Sequence, residues 1–197
     1  MPKADQWRHH AQDWQDILKK NLILKAANLG VTTATLDVGD KEMELERAME
    51  GRVVDHDVDN AYNALSASLT ALVNLSKKVI DKYNPTFGEA CQHLAVIRNA
   101  AEHRKPVALQ EVKAFRKTIA DQCKAAATQL SNANDAPHLL QIWDQFVQYL
   151  DQHGKGINAM RQLIAQCKQH PKAGTLENLK PEFVKLATNC ENAAKMS

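Results

Sequence analysis

Between Val58 and Tyr83, the side chains Val58, Tyr62, Leu65, Leu69, Leu72, Ser76, Val79 and Tyr83 recur in steps of four and three. That rhythm lines them along one stripe of an α-helix, whereas a strand would need a step of two. A stripe of this length has to be covered by other helices. Composition pushes the same way, with 28 Ala against 7 Gly and 6 Pro. Such a balance excludes collagen-like and turn-dense all-β designs. Apolar residues make up 44% and charged residues 24% of the chain, which excludes wholesale disorder. The sequence therefore predicts an all-α bundle of five to seven helices.

Local signals place these helices. A first helix begins near Asp5, carries Trp7, Ala11, Trp14, Ile17 or Leu18, Leu22 and Lys25 at helical spacing, and ends at Gly30. The β-branched run Val31-Thr32-Thr33-Ala34-Thr35 reads as a connection, followed by a short helix from Asp40 to Glu50. After the long helix, Asn84-Pro85 is a break. Thr86 then caps a helix with Phe87, Cys91, Leu94 and Ile97, which finishes around Lys105-Pro106. Another runs from about Ala108 to Leu130. The stretch from Ser131 to Asp135 is the clearest linker, dividing a bundle of residues 1–134 from a C-terminal helical hairpin, 135–197, packed on the same core. Asp135 caps the next helix with Pro137 just inside it. A seam from Trp143 through Gly154 to Cys167 predicts one helix to about Gln169, closed by His170-Pro171. A last helix follows Pro181, with Phe183, Val184, Ala187 and Cys190 facing inward.

Several function classes fall away. The sequence carries no GxxxxGK[ST], GxGxxG, GxSxG or HExxH. Asp55, Asp57 and Asp59 imitate a calcium loop, yet Asn60 stands where Gly is needed and Ser66 where the bidentate Glu belongs. Asp135-x-x-His138 is better explained by capping than by di-metal chemistry. His9, His10 and Asp13 fit an exposed helix start, so no metal or cofactor is expected. The four Cys (Cys91, Cys123, Cys167, Cys190) lie far apart, as free thiols of a reducing compartment would. No stretch approaches the ~18 apolar residues of a membrane span, and the opening MPKADQWRHHAQDWQ does not read as a signal peptide. A cytoplasmic protein with no membrane attachment is expected.

The net charge of +2 is too mild to announce a polyanionic partner. It is unevenly spread, however. Residues 40–60 hold eight acids against three bases, and residues 91–124 hold seven bases against three acids. Two solvated helix faces would explain this, and the basic zone could also hold phosphates.

One stretch of that zone is distinctive: Arg98-Asn99-Ala100-Ala101-Glu102-His103-Arg104-Lys105-Pro106. It resembles the R-N-x-x-x-H signature of the HEPN superfamily, helical bundles that include metal-independent endoribonucleases. The resemblance spans roughly residues 58–130. It implies a HEPN-like core and RNA cleavage by Arg98 and His103, with Asn99 orienting the site and Arg104 and Lys105 holding flanking phosphates. It implies a toxin or a defence or stress effector, and a homodimer built on the helices around residues 87–130 with a composite site. An antitoxin or other protein partner would fit the same picture.

The residue types suit that chemistry. Scission by the ribose 2′-hydroxyl needs a group that exchanges protons near neutrality and a guanidinium that grips the phosphate. On an ideal helix, however, residues five apart point roughly 140° apart. Arg98 and His103 converge only if the helix loosens before Pro106 or if two subunits pool their motifs. A plainer reading competes: Arg98 and Glu102 form an i,i+4 ion pair while His103 and Arg104 complement a helix end. Under it, the chain is a non-catalytic helical-bundle module that binds a protein partner.

Overall fold

The structure, a computed structural model, describes residues 3–27, 29–50, 58–152 and 176–195. Seven helices account for nearly all of them, and no strand occurs among the described residues. They are α1 (Lys3–Lys20), α2 (Leu22–Ala27), α3 (Leu29–Met49), α4 (Val58–Tyr83), α5 (Gly88–Ser131), α6 (Ala136–Gln152) and α7 (Leu176–Lys195). The all-α bundle is thus as the apolar spacing dictates. None of the described helices is long and apolar enough to cross a membrane.

Where sequence and structure agree, a local signal and a buried stripe coincide. α4 has the expected limits, and its Leu65, Leu69, Leu72, Ser76 and Val79 are buried. Asp135 caps α6 through its Oδ1, which accepts the His138 amide at 2.8 Å. The side chains of Cys91 and Cys123 are buried.

Four boundaries are misplaced. The first helix stops at Lys20, and a second short one follows Asn21, whose side-chain amide donates to the Ile17 carbonyl. Gly30 does not end a helix; it lies inside α3, which carries straight through Val31–Thr35. Val31, Thr35, Val38 and Leu45 are fully buried. Each β-branched residue costs only a few tenths of a kcal/mol in helix propensity, about a quarter of what burying one aliphatic side chain returns. The Thr35 hydroxyl also bonds back to the Val31 carbonyl at 2.8 Å. Pro106 likewise does not end a helix, since α5 continues past it to Ser131. Pro181 lies inside α7, which begins before it. The reading of a helix through Gly154 to Gln169, with Cys167, concerns residues outside the described ones.

By packing, the chain forms two compact units. α1, α2, α3 to Arg47, α4 and α5 to Glu111 make the first; α5 from Val112, α6 and α7 make the second. The division falls inside α5 rather than at the 134–135 linker, which is internal to the second unit. In the first unit, a Cβ added to Gly39 would stand 3.4 Å from the Ala4 carbonyl oxygen and from the Trp7 Cβ. α1 and α3 therefore approach backbone to backbone at a point where only a small residue fits. The second unit closes on Ile119, Cys123, Leu130, Leu139, Trp143, Phe146 and Phe183. There Trp143 and Phe183 stack at 4.2 Å with planes 9° apart.

Candidate functional site

The motif lies on one uninterrupted stretch of α5 in the first unit. Arg98 is partly buried, and Asn99, Glu102, His103 and Lys105 are exposed. The Arg98 Nη2 donates to Asn99 Oδ1 at 3.2 Å, and its Nε stands 3.8 Å from Glu102 Oε1. The i,i+4 ion pair of the plainer reading is therefore present. Because α5 is helical throughout, Arg98 and His103 point roughly 140° apart and do not converge within one chain. Proline does not loosen the helix enough to bring them together.

Arg104 departs furthest from the expectation. Its side chain is 11% exposed, and it is engaged by carboxylates instead of being offered to a phosphate. Nε donates to Glu42 Oε1 at 2.5 Å and Nη2 to Glu42 Oε2 at 2.9 Å, a two-pronged grip on a fully buried acid. Nη2 also reaches Glu111 Oε2 at 2.8 Å, and Lys3 Nζ donates to the other oxygen of that carboxylate at 2.5 Å. Burial opposes the guanidinium charge, yet Glu42 and Glu111 outweigh it and raise Arg104 further above its usual value. Burial would likewise raise Glu111, but Lys3 and Arg104 prevail and hold it below the usual carboxylate range. A removal of either acid would strand a buried charge, so the cluster is a structural clasp of α1, α3 and α5.

Lys105 keeps an exposed position, its Nζ donating to the Thr70 hydroxyl at 3.0 Å. It ties α5 to α4 and remains open to solvent. Sequence reasoning missed Lys3, Glu42 and Glu111 as partners. Glu111 is seven residues from Arg104 and so two turns along the same face, a signal that was available. Glu42 is 62 residues away, and only the fold brings it there.

The basic zone thins accordingly. Arg104 and Arg116 are turned inward. In the second unit, Lys113, Lys117 and Lys124 are exposed. Their spacing puts them within about 40° of one another around α5, a mainly basic stripe with one exposed acid, Asp121, at its edge. No group of three His, Cys, Asp or Glu side chains converges among the described residues. No protein-family model, curated protein or solved structure matches the chain.

Proposed function

We propose that this chain is a non-catalytic helical interaction module that uses the Lys113–Lys117–Lys124 stripe to hold an acidic protein partner. The observation that carries this reading is the commitment of Arg104 to Glu42 and Glu111 on an unbroken helix. It leaves the motif with only one of its two flanking phosphate anchors, Lys105, and without a convergent Arg–His pair in one chain. Three exposed lysines on one helix face favour an acidic partner through steering and charge complementarity.

A second reading, a HEPN-type metal-independent endoribonuclease, is favoured by one feature. Asn99 and His103 are both exposed, so a second copy docked about a two-fold could add its Arg98 to them. In that arrangement His103 exchanges the proton, Arg98 grips the phosphate and Lys105 holds its neighbour.

Cellular RNA incubated with the wild-type chain and with His103→Ala separates the two. Under the module reading both leave RNA intact, and Lys113→Gln/Lys117→Gln/Lys124→Gln abolishes retention on immobilised polyglutamate. Cleavage ending in a 2′,3′-cyclic phosphate, reduced roughly 10²–10⁴-fold in His103→Ala, would overturn it in favour of the ribonuclease.

A further inference from the structure

The two most exposed large apolar side chains among the described residues stand next to each other. Leu22 is 75% and Ile23 70% exposed, at the start of α2. On a helix these two point about 100° apart, and Leu24 points about 150° from their midpoint. Leu24 is fully buried. α2 thus has an inner side anchored by Leu24 and an outer side that offers two branched hydrocarbons.

Three lysines bracket that pair. Lys19 and Lys20 close α1, and Lys25 stands in the last turn of α2. The seven residues from Lys19 to Lys25 contain three bases and no acid. The mild charge of the whole chain conceals this segment.

Beside the corner, a cavity of about 450 Å³ opens between Gln15, Leu18 and Lys19 of α1, Lys25 of α2, and Thr32 and Thr33 of α3. Its described lining joins two ammonium groups, two hydroxyls and an amide to one apolar wall, with no carboxylate. Thr32 is 8% exposed, and its Oγ1 has no hydrogen-bond partner. A buried hydroxyl in that state carries a penalty that an acceptor oxygen entering the cavity would remove. Asp16, paired with Lys19 at 2.9 Å, competes with an incoming anion for that lysine.

We propose that the α1–α2 corner docks on an anionic lipid bilayer, with Leu22 and Ile23 entering the acyl boundary and one lipid phosphate seated in the cavity between Lys19 and Lys25. Each half of the arrangement is weak alone. Two apolar side chains give shallow insertion, and three lysines give a salt-sensitive attraction; together they supply the two signals that stable surface binding needs. Charge also decides between occupants. A second copy seated on Leu22 and Ile23 would bring the same lysines face to face across a two-fold, whereas an anionic surface neutralises them.

The full chain would be sedimented with vesicles of phosphatidylcholine alone and of phosphatidylcholine with phosphatidylserine. Binding is expected only to the anionic vesicles and should fall as salt is raised. Leu22→Ser/Ile23→Ser should weaken it roughly tenfold or more; both positions are exposed, so the helical circular dichroism stays unchanged. Lys25→Gln should weaken it about fivefold, and Asp16→Asn should strengthen it by freeing Lys19. The proposal is overturned if neither vesicle binds, or if the double variant binds like wild type. It is equally overturned if inorganic phosphate raises the melting temperature through Lys25 while vesicles stay unbound, which would mark a free-phosphate site. Self-association lost in Leu22→Ser/Ile23→Ser, with no vesicle binding, would assign the corner to a second copy instead.

Discussion

Inside the first unit Glu42 is fully buried against the Arg104 guanidinium, with Glu111 and Lys3 completing the cluster. Inside the second unit the corresponding role falls to ring surfaces, Trp143 stacked on Phe183 and tilted against Phe146 at 5.9 Å. The two interiors solve different problems. Buried ion pairs add little net stability, because desolvation consumes most of their attraction, but they punish any arrangement that leaves a charge alone. Stacked rings contribute stability through area and contact, and they tolerate small shifts. The first unit is built to fix how three helices meet; the second is built to hold together.

The largest test of this contrast is Trp143→Ala, expected to cost about 3–5 kcal/mol in urea unfolding, since both the buried area and the stack are lost. A loss under about 1 kcal/mol would mean that the aromatic cluster is not what holds the second unit. Glu42→Gln should cost about 3 kcal/mol in the same measurement, because Arg104 keeps its charge and loses its carboxylate. The companion Glu42→Leu/Arg104→Met should recover most of that loss, as no charge is then stranded.

Acid should separate the units without any mutation. Half-burial, only partly opposed by Asp13, holds His10 below its ordinary 6.5. Its contribution is present above 6.5 and is lost as pH falls through the lower folded value. Glu111, held below 4.5 by Lys3 and Arg104 against the effect of burial, contributes above 4.5 and loses that as pH falls further. Both groups lie in the first unit. In the second, burial chiefly, with Cys123 adding to it, raises Tyr149 above 10.0, and that contribution vanishes only as pH rises through its folded value. On acidification, amide protection factors should therefore fall in α1 and α3 before α6, and equal losses would refute the assignment.

Smaller effects come from local chemistry. Pro106→Ala should stabilise by about 1–2 kcal/mol, as a proline inside a helix costs roughly 3 and part of that is recovered from the unfolded chain. Asp135→Ala should cost about 1 kcal/mol by removing the cap on the His138 amide. Thermal unfolding of each single variant reads both.

The α4 limits and the Asp135 cap were legible because pattern and punctuation agree there. At Gly30, Val31–Thr35 and Pro106 they disagree, and burial prevailed. Val31 and Thr35 lie in the interior, while Ala101 and Ala108, both fully buried, flank Pro106. A proline's helix penalty is a local quantity of about 3 kcal/mol, small beside the packing of two such turns and the one clasp that spans it. In the candidate site, the spacing of Arg98, Asn99 and His103 could be read directly. The direction of Arg104 could not, because Glu42 comes from α3 and meets it only in the folded chain.

Pro106 has a further meaning for the kinetics of α5. Helix growth proceeds by adding one N–H to one carbonyl per residue, and proline has no N–H to give to the Glu102 carbonyl. A helix of 44 residues would otherwise zip and unzip as a single run. The missing rung divides it into two lengths in the statistics of helix growth, although the helix itself runs through it. Fraying that starts from Gly88 reaches a natural stop at Pro106, and so does fraying from Ser131. The Arg104–Glu111 contact spans that turn, so opening from either end halts where both lengths are pinned together.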